Sequence, residues 1–81
     1  MYIKHGGGVM FSHMRALRED KDLSQAQVAD FLGIHQTTYS DYELGNINIP
    51  IETLKQLADF YHTSIDYLVD YTNDPTPYIR P

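Results

Sequence analysis

At 81 residues, with no cysteine and no run approaching the ~20 apolar residues of a membrane span, the chain has room for one domain and one core. Disulfides, thiolate metal sites and cysteine nucleophiles are excluded, and a soluble cytoplasmic protein is expected. Six Lys and Arg against eleven Asp and Glu give a formal net charge of -5, the reverse of the basic balance that phosphate binding favours, so a nucleic-acid partner has to be argued from the placement of individual residues.

Residues 1–9, MYIKHGGGV, show no period and carry three consecutive glycines, so a flexible leader is expected there. Two origins stay open for it: an ordinary tail, or a translated purine-rich ribosome-binding site ahead of a start at Met10, since every glycine codon begins with GG. From Met10, apolar residues recur at Met14 and Leu17, one face of an amphipathic helix running roughly from Phe11 to Lys21. Arg15, Arg18, Glu19 and Asp20 fall on or beside the other face, and Asp22 breaks the pattern.

The next start is marked twice. Ser24 can cap the amide of Gln27 while the Gln27 side chain returns to the amide of Ser24, and Leu23 and Val28 stand at the two positions of a hydrophobic staple. A second helix therefore begins after Ser24, continues through Val28, Ala29 and Leu32, and ends at Gly33, which supplies the left-handed conformation of a helix end. After Ile34, His35 occupies a cap position for a third helix that runs to Gly45. Its inward stripe is Tyr39 and Tyr42 with Thr38 alongside, and Gln36, Thr37, Ser40 and Asp41 face outward.

Asn46-Ile47-Asn48-Ile49-Pro50 is a turn-rich linker whose proline suits the first position of a fourth helix. Ile51, Leu54, Leu57, Ala58 and Tyr61 repeat at helical spacing along that helix, which His62-Thr63 ends. Ser64 can cap a last short helix carrying Ile65, Tyr67 and Leu68, and TNDPTPYIRP, with three prolines and no period, reads as an extended arm. The expected organisation is all-α: a leader over 1–9, a compact five-helix domain over 10–71 and a tail over 72–81.

Two helices joined by a tight glycine-containing turn, the second with a polar outer face, form a helix-turn-helix. Small Ala29 sits where the two helices approach, and Val28, Leu32, Ile34, Tyr39 and Tyr42 point inward on both sides. Through LREDKDLSQAQVADFLGIHQTTYSDYELG and the following IPIETLKQLADFYHTSIDYLV, the chain resembles the lambda-repressor-like, Cro/CI-type helix-turn-helix regulators over about Met10 to Asp70.

That resemblance implies a five-helix domain whose third helix enters the major groove of duplex DNA with its N-terminal residues at base edges. It places Gln36 at the first base-reading position, where an amide can pair bidentately with adenine, and Thr37 and Asp41 at further reading positions. Gln25 matches a residue that contacts a phosphate and braces the first recognition glutamine. Thr38, Ser40, Asn46 and Asn48 are expected to contact the DNA backbone or brace the readers. Arg18 and Glu43 are expected to form a partly buried ion pair that fixes the recognition helix.

Two residues depart from the family pattern. Asp41 stands where many relatives carry a basic or amide residue. It can accept from cytosine N4 but repels phosphate. Tyr39 is bulkier than the branched aliphatic common at its position, and its hydroxyl is expected to reach toward the backbone.

The histidines at 5, 13, 35 and 62 have no helical pairing and no cysteine nearby, so a metal site is not expected and surface or capping roles suffice. The glycine run lacks the lysine and hydroxyl residue of a phosphate-binding loop, and the carboxylates lie on outward helix faces, so neither catalysis nor a cofactor or small-molecule substrate is expected. The leading expectation is a sequence-specific DNA-binding regulator, a repressor acting as a homodimer. The acidic charge motivates an alternative from another class, a helix-turn-helix domain used mainly as a protein-interaction module, antitoxin-like or antagonist of a related regulator.

Overall fold

The computed structural model describes residues 10–77, which form five helices and no strand: α1 (Ser12–Asp20), α2 (Gln25–Leu32), α3 (Gln36–Leu44), α4 (Ile51–Tyr61) and α5 (Ile65–Leu68). The expected leader over 1–9 and the last four residues of the expected tail lie outside the described residues. The all-α, five-helix reading holds.

The local signals act as their chemistry dictates. Ser24 Oγ accepts from the Gln27 amide at 3.0 Å and the Gln27 side chain accepts from the Ser24 amide at 2.8 Å, closing both halves of the capping box. Gly33 and Gly45 end α2 and α3 at φ +72°, a conformation that costs a residue with a Cβ. Ser64 caps α5 by accepting from the Tyr67 amide at 3.0 Å. His35 occupies the cap position of α3 in an extended conformation, but its side chain makes no cap hydrogen bond.

The core joins all five helices: Met14 from α1, Val28 and Ala29 from α2, Tyr39 and Tyr42 from α3, Leu54, Leu57, Ala58 and Tyr61 from α4, and Leu68 from α5. Leu23, Leu32 and Ile34 pack against it half-buried.

Two expectations about α4 need correction. Pro50 precedes the helix as its N-cap, with ψ 143°, and Ile51 takes the first helical position. Ile51 is also exposed rather than inward, because the first turn of α4 overhangs the core and the inward stripe begins at Leu54.

One tie between the ends of the domain had no local signal. Phe11, the N-cap of α1, offers no side-chain acceptor, and the Asp70 carboxylate takes that place from beyond α5, accepting from the Ser12 amide at 2.8 Å and the His13 amide at 2.9 Å. The His13 ring stacks on Tyr67 with centroids 3.9 Å apart, and its Nδ1 lies 2.8 Å from the Tyr67 carbonyl and 3.2 Å from Asp70. His13 thus does more than the surface or capping role its sequence position suggests. Past α5, Thr63 donates its hydroxyl to the Pro75 carbonyl at 2.8 Å, holding the start of the tail against the body.

Candidate nucleic-acid interface

The interface is built from α2, the turn and α3. Ile34 donates its amide to the Ala29 carbonyl at 3.0 Å across Gly33, which closes α2 and turns the chain within Gly33–His35. No side chain caps the first turn of α3, so the positive end of that helix dipole lies at Gln36 and Thr37 without a capping side chain. Both residues are exposed. Thr38, Ser40 and Asp41 are half-buried along the same helix, and Asn46 and Asn48 are exposed just beyond it. Asn46 donates its side-chain amide to Asp41 Oδ1 at 3.3 Å and its backbone amide to the Asp41 carbonyl at 2.9 Å, so these two residues are held as a unit.

The opposite edge of α3 is locked by a buried polar network. Glu43, 2% exposed, accepts from Tyr39 Oη at 2.6 Å, from Arg18 Nε at 2.7 Å and Nη2 at 3.3 Å, and from Gln25 Nε2 at 3.2 Å. Arg18 also donates Nη1 to the Leu23 carbonyl at 2.8 Å, so one guanidinium links α1, the α1–α2 turn and α3. The Phe11 amide donates to the Glu43 carbonyl at 2.8 Å, adding a backbone tie at the same place.

The network sets the charge states. Burial alone would raise the Glu43 carboxyl, but the hydrogen bonds from Arg18, Tyr39 and Gln25, with the guanidinium charge, outweigh it and hold the group below the usual carboxylate range. The hydrogen bond to Glu43 holds the Arg18 guanidinium above its ordinary value, against the opposing effect of burial. Burial first and Glu43 second push the Tyr39 hydroxyl far up, so it stays a donor. The buried Tyr61 hydroxyl lies close to Tyr39 but makes no hydrogen bond, and burial followed by the Glu43 charge pushes it up to about 12.

Two side chains sit differently from the sequence reading. The Tyr39 hydroxyl meets the Glu43 carboxylate rather than the backbone, because residues four apart share a helix face and a buried carboxylate is the stronger acceptor. Gln25 sends its amide to Glu43, not to Gln36. Within the described residues the structure therefore brings Gln25, Arg18 and Glu43 together by hydrogen bonds, while Gln36 and Thr37 are exposed at the start of α3. Tyr39 was the member of the network that sequence reasoning missed, although its spacing of four from Glu43 was a usable signal.

Arg15 pairs with Glu19 at 3.2 Å and Lys55 with Glu52 at 3.6 Å. With Lys21 these are the exposed basic residues among those described, and α3 has none. No helix among the described residues is long and apolar enough to cross a membrane, and no group of residues among them is placed to hold a metal ion.

Comparison with known proteins agrees with this geometry. A helix-turn-helix family profile matches residues 14–68. The chain is 35% identical over 67 residues to the uncharacterized HTH-type transcriptional regulator YobD of Bacillus subtilis (strain 168), covering 83% of this chain and 60% of the relative. It is 41% identical over 58 residues to the cryptic phage CTXphi transcriptional repressor RstR of Vibrio cholerae, 72% and 52% of the two chains. It is 42% identical over 53 residues to the HTH-type transcriptional regulator AnsR of Bacillus subtilis (strain 168), 65% and 46%. The chain thus spans from about half to three fifths of the length of these curated relatives. No solved structure matches it significantly. With a capped α2, a glycine turn, an α3 that is polar outside and locked inside, and a family match over most of its length, the chain belongs to the lambda-repressor-like helix-turn-helix family.

Proposed function

We propose that this chain is a sequence-specific DNA-binding transcriptional regulator, a repressor, that lays the N-terminal part of α3 in the major groove and acts as a homodimer on two half-sites. The observation that carries it is the division of α3 into an exposed edge beginning at Gln36 and an edge fixed by Tyr39, Tyr42 and Glu43. A rigid backing is what base readout requires, since a bidentate amide–adenine contact tolerates little misplacement. Gln36 reads adenine, Thr37 contacts a neighbouring base, and Asp41, oriented by Asn46, accepts from cytosine N4. Thr38, Ser40, Asn46 and Asn48 line the groove walls, and the helix ends supply positive potential where Lys and Arg are few. Gln25 acts from behind, through Glu43. The names of the relatives, regulators and one repressor, support the same reading. It is a recognition function, with no reaction, cofactor or membrane in it.

The test is selection of bound sequences from random duplexes, followed by fluorescence anisotropy on the winning sequence. Gln36→Ala is expected to cost about 1–3 kcal/mol of discrimination at one position and leave the rest of the site readable. The exposed basic residues Arg15, Lys21 and Lys55 limit the salt slope to roughly -3 per chain from the described residues. A folded protein that selects no sequence would overturn the proposal in favour of the protein-interaction module.

A further inference from the structure

Helices α2, α3 and α4 end in the same motif. Each closes on a left-handed residue, Gly33, Gly45 or His62, and the amide that follows returns to the carbonyl five residues back. At α2 the two residues so joined are Ala29 and Ile34, and at α4 they are Ala58 and Thr63, all buried or packed on the core. At α3 they are Asp41, half-buried, and Asn46, exposed. The apolar contact that often accompanies such a helix end is replaced there by a hydrogen bond from Asn46 Nδ2 to Asp41 Oδ1 at 3.3 Å. Asp41 also puts a negative charge in the last turn of α3, where the helix dipole disfavours it. The Glu43 charge in the same turn is met by Arg18, whereas Asp41 is met by a neutral amide. Packing and electrostatics of the fold both disfavour this pair, and departures of this kind are expected at functional sites.

The pair stands on the reading edge. Asp41 follows Thr37 by four residues, so the two share a helix face, and Thr37 is exposed. A carboxylate only accepts, which sets the Asn46 amide with its nitrogen toward Asp41 and leaves the second hydrogen of that nitrogen for another acceptor. Side by side, the two residues offer one acceptor, Asp41 Oδ2, and one donor, Asn46 Nδ2. We infer that Asp41 and Asn46 read one C·G base pair as a unit, Asp41 accepting from cytosine N4 and Asn46 donating to guanine O6 or N7 on the opposite strand. The inference rests on the DNA-binding reading above and adds Asn46 to the base readers. Major-groove chemistry selects this pair from the four. Thymine or guanine on the Asp41 side turns an acceptor toward the carboxylate. Adenine offers an amino group there, but with acceptor N7 beside it, and its thymine partner gives Asn46 one acceptor and a methyl group. Cytosine has no acceptor on its groove edge, and guanine gives Asn46 two.

The full chain is carried through selection from random duplexes, and anisotropy titrations are then run with each position of the selected site changed in turn to the other three base pairs. In the unaltered protein one position is expected to prefer C·G at least about fivefold over each alternative. Asp41→Ala and Asn46→Ala are each expected to abolish the preference at that same position. The preference that Gln36→Ala removes elsewhere in the site is expected to survive both, with little change in melting temperature. A loss of affinity equal for all four pairs after Asn46→Ala marks a structural role and overturns the inference, as does flattening at a different position from Asp41→Ala. The exchange variant, Asp41→Asn with Asn46→Asp, keeps a hydrogen bond between the two side chains and turns donor and acceptor around, so its preference is expected to reverse to G·C. An exchange variant that still prefers C·G, or prefers no pair there, overturns the unit even where both alanine variants behave as expected. In each of these cases a site still read at the Gln36 position shows that DNA recognition stands. A folded chain that selects no sequence removes that reading and this one together.

Discussion

Replacing Glu43 by Ala tests the network behind α3 most directly. The carboxylate is 2% exposed and takes four hydrogen bonds from Tyr39, Arg18 and Gln25. Its removal leaves the Arg18 guanidinium, 12% exposed, with the Leu23 carbonyl as its remaining acceptor and the Tyr39 hydroxyl buried without a partner. Breaking a buried pair from one side costs about 3–5 kcal/mol. A domain of 81 residues has on the order of 4–12 kcal/mol of total stability. The variant should therefore lose about a quarter of its stability or more. At about 4–8 °C per kcal/mol for this size, the melting temperature should fall by roughly 12–40 °C. Urea unfolding followed by circular dichroism measures it. A loss below about 1 kcal/mol, the value of an exposed pair, would refute the claim that this network holds the recognition helix in place.

The other expectations follow from the same contacts. Because the folded Glu43 carboxyl lies below its unfolded value near ~4.3, its contribution is complete above that pH and disappears as pH falls through the lower folded value. Urea midpoints should drop along that acid limb, and Glu43→Ala should flatten it. Tyr39→Phe removes a hydroxyl that donates to a carboxylate and should cost about 1.5–3 kcal/mol. Tyr61→Phe removes a buried hydroxyl that has no hydrogen bond and should leave stability unchanged or raise it. A pair of denaturation curves in which Tyr61→Phe is the more damaging would reverse the assignment. Asp70→Ala removes the side-chain cap of α1 and should cost about 1–2 kcal/mol, with the first amides of α1 exchanging fastest in a hydrogen-exchange measurement.

The features legible in the sequence are those whose partners are close along the chain. Ser24 and Gln27 are three apart and announce each other, Gly33 and Gly45 end helices by their own backbone freedom, and Tyr39 and Tyr42 follow from helical spacing. Periodicity assigned Ile51 to the inward face but cannot say where the core stops beneath a first turn. Pro50 fits φ near -60° both inside a helix and just before it, and ψ, which sequence does not fix, decides. Arg18 and Glu43 lie 25 residues apart, and only the family resemblance suggested them together. The turn of Gln25 toward Glu43, and of Asp70 toward α1, depends on how helices distant in sequence are stacked, and no local pattern encodes it.

The bonds from Ser12 and His13 to Asp70 span 58 and 57 residues of chain. Every residue proposed to read a base lies before Pro50, yet the first helix receives its cap only when the chain has been synthesised through Asp70. On the ribosome, a nascent polypeptide that stops after α4 carries the whole reading edge but neither Asp70 nor Leu68, so the frame holding that edge stands open at one end. A chain ending there would lack both the cap of α1 and the core side chain of α5, so the two ends of the sequence close the domain together.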